Sequence, residues 1–389
     1  MEKKAAMQNF DFSTCGTLSV ERGGAARLAG KVSAMKCKSV LVVTDEGLLR
    51  SGALQSAMDG LKAAGIPFSV FSGVQADPPE FVIHEAAAAA REVAADCVIG
   101  FGGGSSMDAA KLAALLAGGD EVLGDVYGVG LVKGPRLKLI LVPTTAGTGS
   151  EVTPISIVTT GEGQKKGVVS PILLPDLALL DAELTLGLPS HVTAATGIDA
   201  MVHAIEAFTS KRLKNPISDC LARDALRLLS GSLLRACRNG SDVQAREDML
   251  LGACLAGIAF ANAPVAAVHA LAYPIGAQFH VPHGLSNSLV LAAVARFNLP
   301  AARKEYAELL DIVNPGHQGE EADKAGAFVE YLAGLAPSVG LPTTLREVGI
   351  GAKDIPMLAS DAMKQTRLLV NNRRELAESD AAAIYAEVL

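Results

Sequence analysis

The chain has 389 residues, half of them hydrophobic, more than one ordinary core holds, so two domains are expected. Its 41 acidic against 34 basic residues leave a formal charge of −7, with no basic run to track a phosphate backbone, which argues against a nucleic-acid partner. Six cysteines (Cys15, Cys37, Cys97, Cys220, Cys237 and Cys254) show no CxxC pairing, which speaks against a disulfide framework or thiolate zinc and for a reducing, cytoplasmic setting.

The N-terminal MEKKAAMQNFDFST lacks the apolar run of a signal peptide. Residues 39–44 (SVLVVT) read as a strand ending at Asp45, followed by a helix over about 46–64 that Gly65 breaks. PFSVFSGV is a second strand, 79–95 an alanine-rich helix, and 96–100 (DCVIG) a third strand. That alternation predicts a parallel sheet with crossover helices. Asp45 has two readings: an acceptor for adenosine ribose hydroxyls that disfavours NADP, or a plain helix N-cap.

The third strand runs into GFGGGSSMDAAK, where consecutive glycines precede a helix. Their amides can approach an anion at the helix N-terminus, so a pyrophosphate site and an ordinary glycine turn both fit; the GxGxxG fingerprint is absent. Residues 138–142 (KLILV) are a fourth strand, and the loop PTTAGTGSEVTP lies at its carboxyl end, where open α/β sheets bind ligands. Further short strands are expected at 154–158, 167–170 and 177–181, with Lys165 and Lys166 between the first two, either over a nucleotide or solvated.

From about 186 helical periodicity takes over, with helices expected at 216–238, 243–262 and 285–297 and breaks at Pro300, Pro315–Gly316, Pro337 and Pro342. The longest apolar stretch, about 250–279, carries Asn262, Pro264, His269, Tyr273 and Pro274, and predicts buried helices around a site rather than a membrane span. The division expected is an α/β dinucleotide domain over 1–185, with a parallel, non-standard Rossmann-like sheet, and an all-α domain over 186–389 carrying metal ligands.

GIDAMVHAIEAF at 197–208 spaces Asp199 and His203 four residues apart, on one helix face. Together with His269 and His283 they make a plausible set of ligands for one divalent ion; the alternative is a buried Asp–His pair with no ion. What such an ion would be for is the question the rest of the chain must answer.

GGGSSMDAAK at 102–111, PTTAGTGSEVT at 143–153, ATGIDAMVHAIEA at 195–207 and HALAYPIGAQFHVPHG at 269–284 occur in that order. In these motifs, and over nearly its whole length, the chain resembles the iron-containing (group III) alcohol dehydrogenase family. The resemblance implies an NAD-dependent oxidoreductase for an alcohol and its aldehyde or ketone. It places Asp199, His203, His269 and His283 on the metal ligands, with Fe(II) expected first and zinc next. Gly102, Gly103, Gly104 and Ser105 fall on the pyrophosphate loop, and Thr144, Thr145 and Thr153 on positions near the phosphates and nicotinamide. Lys165 and Leu184 fall on residues lining the cofactor, and Asp45 on the acid that disfavours NADP. Family members also suggest a homodimer or higher assembly. Many relatives have a histidine proton relay where this chain has Tyr273, so Tyr273 becomes the candidate relay, although a tyrosine ordinarily titrates at about 10. His280 reads as a pocket or supporting residue rather than a fifth ligand. A dehydroquinate-synthase-like lyase and a non-catalytic relative are the competing readings; the absence of lysine and arginine in 264–290 speaks against the first. Apolar neighbours such as Val265, Leu271 and Phe279 suggest a small or medium, uncharged substrate.

Overall fold

Consecutive β-branched and leucine residues form short strands buried on both faces, which is what a parallel sheet sandwiched by helices requires. The structure, a computed structural model, describes residues 9–161 and 164–389. It divides into two compact units. One comprises 14–189 with 239–257, and the other the described residues up to Ser13 with 190–238 and 258–389.

In the first unit, six strands form one parallel sheet: β1 (Leu18–Val20), β2 (Val40–Val43), β3 (Phe68–Phe71), β4 (Cys97–Gly102), β6 (Lys138–Pro143) and β9 (Leu177–Leu180), in the order β1-β9-β6-β4-β2-β3. Alternation assigns the two faces. Leu41, Val43, Val98, Leu139 and Leu141 face one core with α4 (Glu80–Glu92) and α5 (Gly104–Gly118). Val40, Val42, Ile99, Ile140 and Val142 face another with α1 (Leu28–Ala34) and α3 (Gln55–Ala63). The single helix expected over 46–64 is two, because Gly52 caps α2 (Glu46–Ser51) before α3 begins. The strands at 155–159 and 165–169 leave the main sheet. They pair antiparallel as β7 and β8, and β5 (Gly128–Val129) adds to β8. With three and two residues, β1 and β5 carry too little pattern to be read from sequence.

The second unit is helical among its described residues. It holds α6 (Ser190–Thr209), α7 (Pro216–Arg238), the end of α8 (Val243–Asn262), α9 (Ala267–Phe279), α10 (His283–Val313), α11 (Glu321–Ser338), α12 (Ile355–Met363), α13 (Thr366–Leu369) and α14 (Glu378–Glu387). The parallel α/β architecture and the helical second half agree with the sequence reading. The break expected at Pro300 falls two residues further on: helical backbone is interrupted at Ala302 (φ −123°, ψ 19°), where two helical segments of α10 meet across a kink, and α10 packs on α6, α9 and α11. Proline there removes a hydrogen bond and crowds the preceding turn, which interrupts the helix. Pro337 lies inside the last turn of α11, which ends at Ser338. Among the described residues, no single helix is long and apolar enough to cross a membrane.

Candidate functional site

α6 places Asp199 and His203 one turn apart, α9 carries His269 in its first turn, and His283 is the first residue of α10. One ligand atom from each lies within 4.8 Å of all the others. Asp199 Oδ1 is 3.5 Å from His283 Nε2, 3.8 Å from His269 Nε2 and 4.0 Å from His203 Nε2. Tetrahedral ligands at zinc-like bond lengths stand about 3.4 Å apart, so the four close on an ion with little movement. Asp199, His203 and His269 are buried, whereas the His283 side chain is 37% exposed, which leaves the cluster one open side.

The donor set itself fits a cation. Three imidazole nitrogens and a carboxylate oxygen converge, and the amide nitrogen of Asn287, fully buried, is wedged among them. It donates to Asp199 Oδ1 at 2.6 Å and lies 3.3 Å from both His269 Nε2 and His283 Nε2. Its own Oδ1 is buried without a partner. Burial alone would push the Asp199 carboxyl up; the charges of His203, His283 and His269 and the Asn287 hydrogen bond outweigh it and hold the group below its usual range. Phe260 stacks on His203 with ring centroids 4.3 Å apart. Tyr273 sits with its ring 5.8 Å from that of His283 and 6.4 Å from that of His269. His280 is the exposed left-handed cap of α9 (φ 55°), three residues outside the cluster.

In the other unit, a cavity of about 1050 Å³ is lined by Asp45, Gly103, Gly104, Ser105, Thr144, Thr145 and Leu184. That volume accommodates a dinucleotide. Gly103 caps α5 and Gly104 is its first residue, so the helix N-terminus opens on the cavity. Asp45 Oδ1 caps α2 by accepting from Leu48 N at 2.8 Å, and the residue also lines the cavity. Three expected cofactor residues lie off the lining. Gly102 ends β4; Thr153 is buried and accepts from Lys111 Nζ at 3.3 Å; Lys165 on β8 pairs with Asp77 at 2.7 Å. Asp77 N in turn donates to Ser105 Oγ at 3.3 Å, so Lys165 reaches the loop only through Asp77.

A model of iron-containing alcohol dehydrogenases matches residues 16–182, and the C-terminal model of the same family matches 193–389. The chain belongs to the iron-containing alcohol dehydrogenase family. Long-chain-alcohol dehydrogenase 1 of Geobacillus thermodenitrificans is 42% identical over 367 residues, 93% of this chain and 92% of that protein. A crystal structure of 1,3-propanediol oxidoreductase superposes with a TM-score of 0.95 at 33% identity, covering 98% of this chain and all of that one. The sulfoacetaldehyde reductase of Bifidobacterium kashiwanohense, solved with NAD+, superposes with a TM-score of 0.87 at 29% identity, covering 98% and 99%. The protein is therefore an NAD-dependent oxidoreductase of alcohols and their carbonyl counterparts, of the iron-containing type. That membership sets aside the lyase and non-catalytic readings.

Residues of this alcohol dehydrogenase that the sequence reading passed over contact the cluster or the loops. Glu206 on α6 sits behind His269, its Oε2 2.6 Å from Nδ1, while Oε1 accepts from Val268 N at 2.7 Å. Its spacing of three from His203 and seven from Asp199 puts it on the ligand face, a signal available in the sequence. Asn287, four residues after His283, was equally available. Lys111 and Asp108 brace the glycine and threonine-rich loops. The fully buried Lys111 Nζ donates to Ser150 Oγ at 2.8 Å and Ile155 O at 2.6 Å. Ser150 Oγ donates to Asp108 Oδ1 at 2.5 Å, and Ile157 N to Asp108 Oδ2 at 2.9 Å. The brace ties α5, which begins in the glycine loop, to the threonine-rich loop after β6.

Proposed function

We propose that Asp199, His203, His269 and His283 hold one divalent ion, Fe(II) first and zinc as the alternative, and that the glycine and threonine loops hold NAD. The observation that carries this is the convergence of the four ligand atoms within 4.8 Å, three of the four residues being buried. When bound, the ion supplies Lewis acidity to the substrate oxygen. The chain's own residues do the rest. Asp199 brings a buried negative charge to the ion. The half-exposed His283 marks the side from which a substrate enters. The N-terminus of α5, with Gly103, Gly104 and Ser105, receives the pyrophosphate, aided by Gly102 as the hinge into that loop. Asp45 accepts from the adenosine ribose and opposes a 2′-phosphate, so NAD is used rather than NADP. Thr144, Thr145 and Leu184 line the cavity beside it, and Thr153 and Lys165 act from behind, through Lys111 and Asp77. Tyr273, beside His269 and His283, is the proton relay.

The assignment divides labour between 1–185 for the dinucleotide and 186–389 for metal and substrate. Val265 and Leu271 are buried near the ligands and Phe279 partly so, which favours a small or medium, uncharged alcohol. A homodimer or larger assembly in the cytoplasm completes the proposal.

The test is metal analysis of the purified protein followed by NADH oxidation with a panel of aldehydes and ketones. Asp199→Ala should lose both the ion and turnover while keeping NADH binding. Metal-replete protein inert across the panel, or an Asp199→Ala variant with full metal content, would overturn the assignment.

A further inference from the structure

We infer that Glu206 is the positioning residue of the metal centre: its carboxylate turns His269 so that Nε2 points into the ligand cluster, and it locks ligand helix α9 onto ligand helix α6. The inference rests on the metal reading of the Asp199 cluster. Glu206 touches none of the four ligand atoms and acts through His269.

Three observations carry it. The Glu206 side chain is nearly completely buried, where a carboxylate is tolerated only with its oxygens satisfied. Both are: Oε2 lies 2.6 Å from His269 Nδ1, and Oε1 accepts the amide N–H of Val268 at 2.7 Å. Val268 is the second residue of α9, and its amide is one of the first-turn donors that the helix itself cannot satisfy. The neighbouring cap residue, Ala266, provides no side-chain acceptor. Glu206 therefore does from α6 what a local N-cap would do from within the chain. An acceptor-only carboxylate facing Nδ1 requires the proton on Nδ1 and leaves the Nε2 lone pair as the only ring donor for an ion. Nε2 is the atom 3.8 Å from Asp199 Oδ1. One side chain thus selects the tautomer of a ligand, fixes its ring and sets the spacing of the two helices that carry three of the four ligands. Partners of this kind are typically worth about 10–100-fold in metal affinity.

The probe is Co²⁺, titrated into chelator-stripped full-length protein in competition with a chromophoric chelator and followed through its visible d–d bands. Glu206→Gln keeps shape but offers one acceptor for two donors. It should bind Co²⁺ about 10–100-fold more weakly, with altered band positions, while Glu206→Ala weakens binding further. A Glu206→Gln protein within threefold of wild type, with unchanged bands, overturns the inference. A measurement needing no variant stands beside it: long-range ¹⁵N–¹H correlation of the zinc-loaded wild type should show His269 protonated at Nδ1. A proton on Nε2 overturns the inference even if Glu206→Gln does not fold. Wild-type protein that fails to bind Co²⁺, or Asp199→Ala that binds it as tightly as wild type, strikes down the metal reading itself, an outcome distinct from a normal site indifferent to Glu206.

Discussion

At the scale of single residues the question is who moves the proton. Tyr273 is the polar ring beside both His269 and His283, at 6.4 and 5.8 Å between centroids. A positioned proton donor typically contributes about 10²–10⁴-fold to a rate. Tyr273→Phe removes the hydroxyl and keeps the ring packing, so kcat should fall at least about 100-fold while the metal content stays at the wild-type level. A kcat within threefold of wild type would move the relay elsewhere. The pairing of Asp199 with His203 in the proposed ligand cluster was legible because helix periodicity converts a spacing of four into a shared face. Glu206 lay on that same face, yet a glutamate in a helix reads first as a solvated residue, and only the tertiary fold reveals that it is buried against α9. Lys111 was hidden for the same reason, since lysine is among the residues least often buried without a partner.

At the scale of elements, the glycine and threonine loops depend on close backbone approach. Gly149 in the TTAGTGSE loop has φ 60°, and a Cβ there would stand 2.5 Å from the Cα of Gly257 in α8, which has no side chain to swing aside. Gly149→Ala adds a left-handed conformational penalty to an overpacked contact, so unfolding stability should drop by about 3 kcal/mol or more. Urea denaturation measures it. Gly231 in α7 is exposed and a Cβ there meets nothing within 4 Å, so Gly231→Ala should gain about 0.5–1 kcal/mol. Equal effects at the two sites would contradict the close-packing account. Gly149 was visible in the sequence as part of a glycine-rich loop, but its neighbour lies 108 positions away, beyond any local pattern. Strands with four or more β-branched or leucine residues were readable, whereas β5, two residues joined to β8, was not. Pro300 was read as a break because the local rule is strong, and the backbone leaves helical geometry two residues later at Ala302.

At the scale of the whole molecule, alternation of strands and helices followed by uninterrupted helical periodicity was enough to set the architecture, since each half repeats its own period many times. One contribution to stability against pH comes from a buried acid that no periodicity exposes. Glu151 ends the TTAGTGSE motif and is 2% exposed. Burial pushes its carboxyl from the ordinary 4.5 up to about 7, against the opposing pull of its own backbone amide, the Lys111 charge and a hydrogen bond to Cys254. The folded value lies above the unfolded one, so between about 4.5 and about 7 the folded chain holds a proton that the unfolded chain has released. The unfolded state binds fewer protons there, and the contribution of Glu151 to stability falls as pH rises through that window, is flat above it, and is absent below it. The displacement amounts to about 3 kcal/mol, at about 1.4 kcal/mol for each tenfold change in the equilibrium. Glu151→Gln keeps the shape and removes the titration. Urea unfolding of both proteins should give matching stabilities near pH 4.5 and a gap opening to about 3 kcal/mol in favour of Glu151→Gln by pH 8. Parallel curves across that range would show that the charge of Lys111 already compensates an ionised Glu151 in the folded chain, and that the buried acid costs the fold nothing at neutral pH.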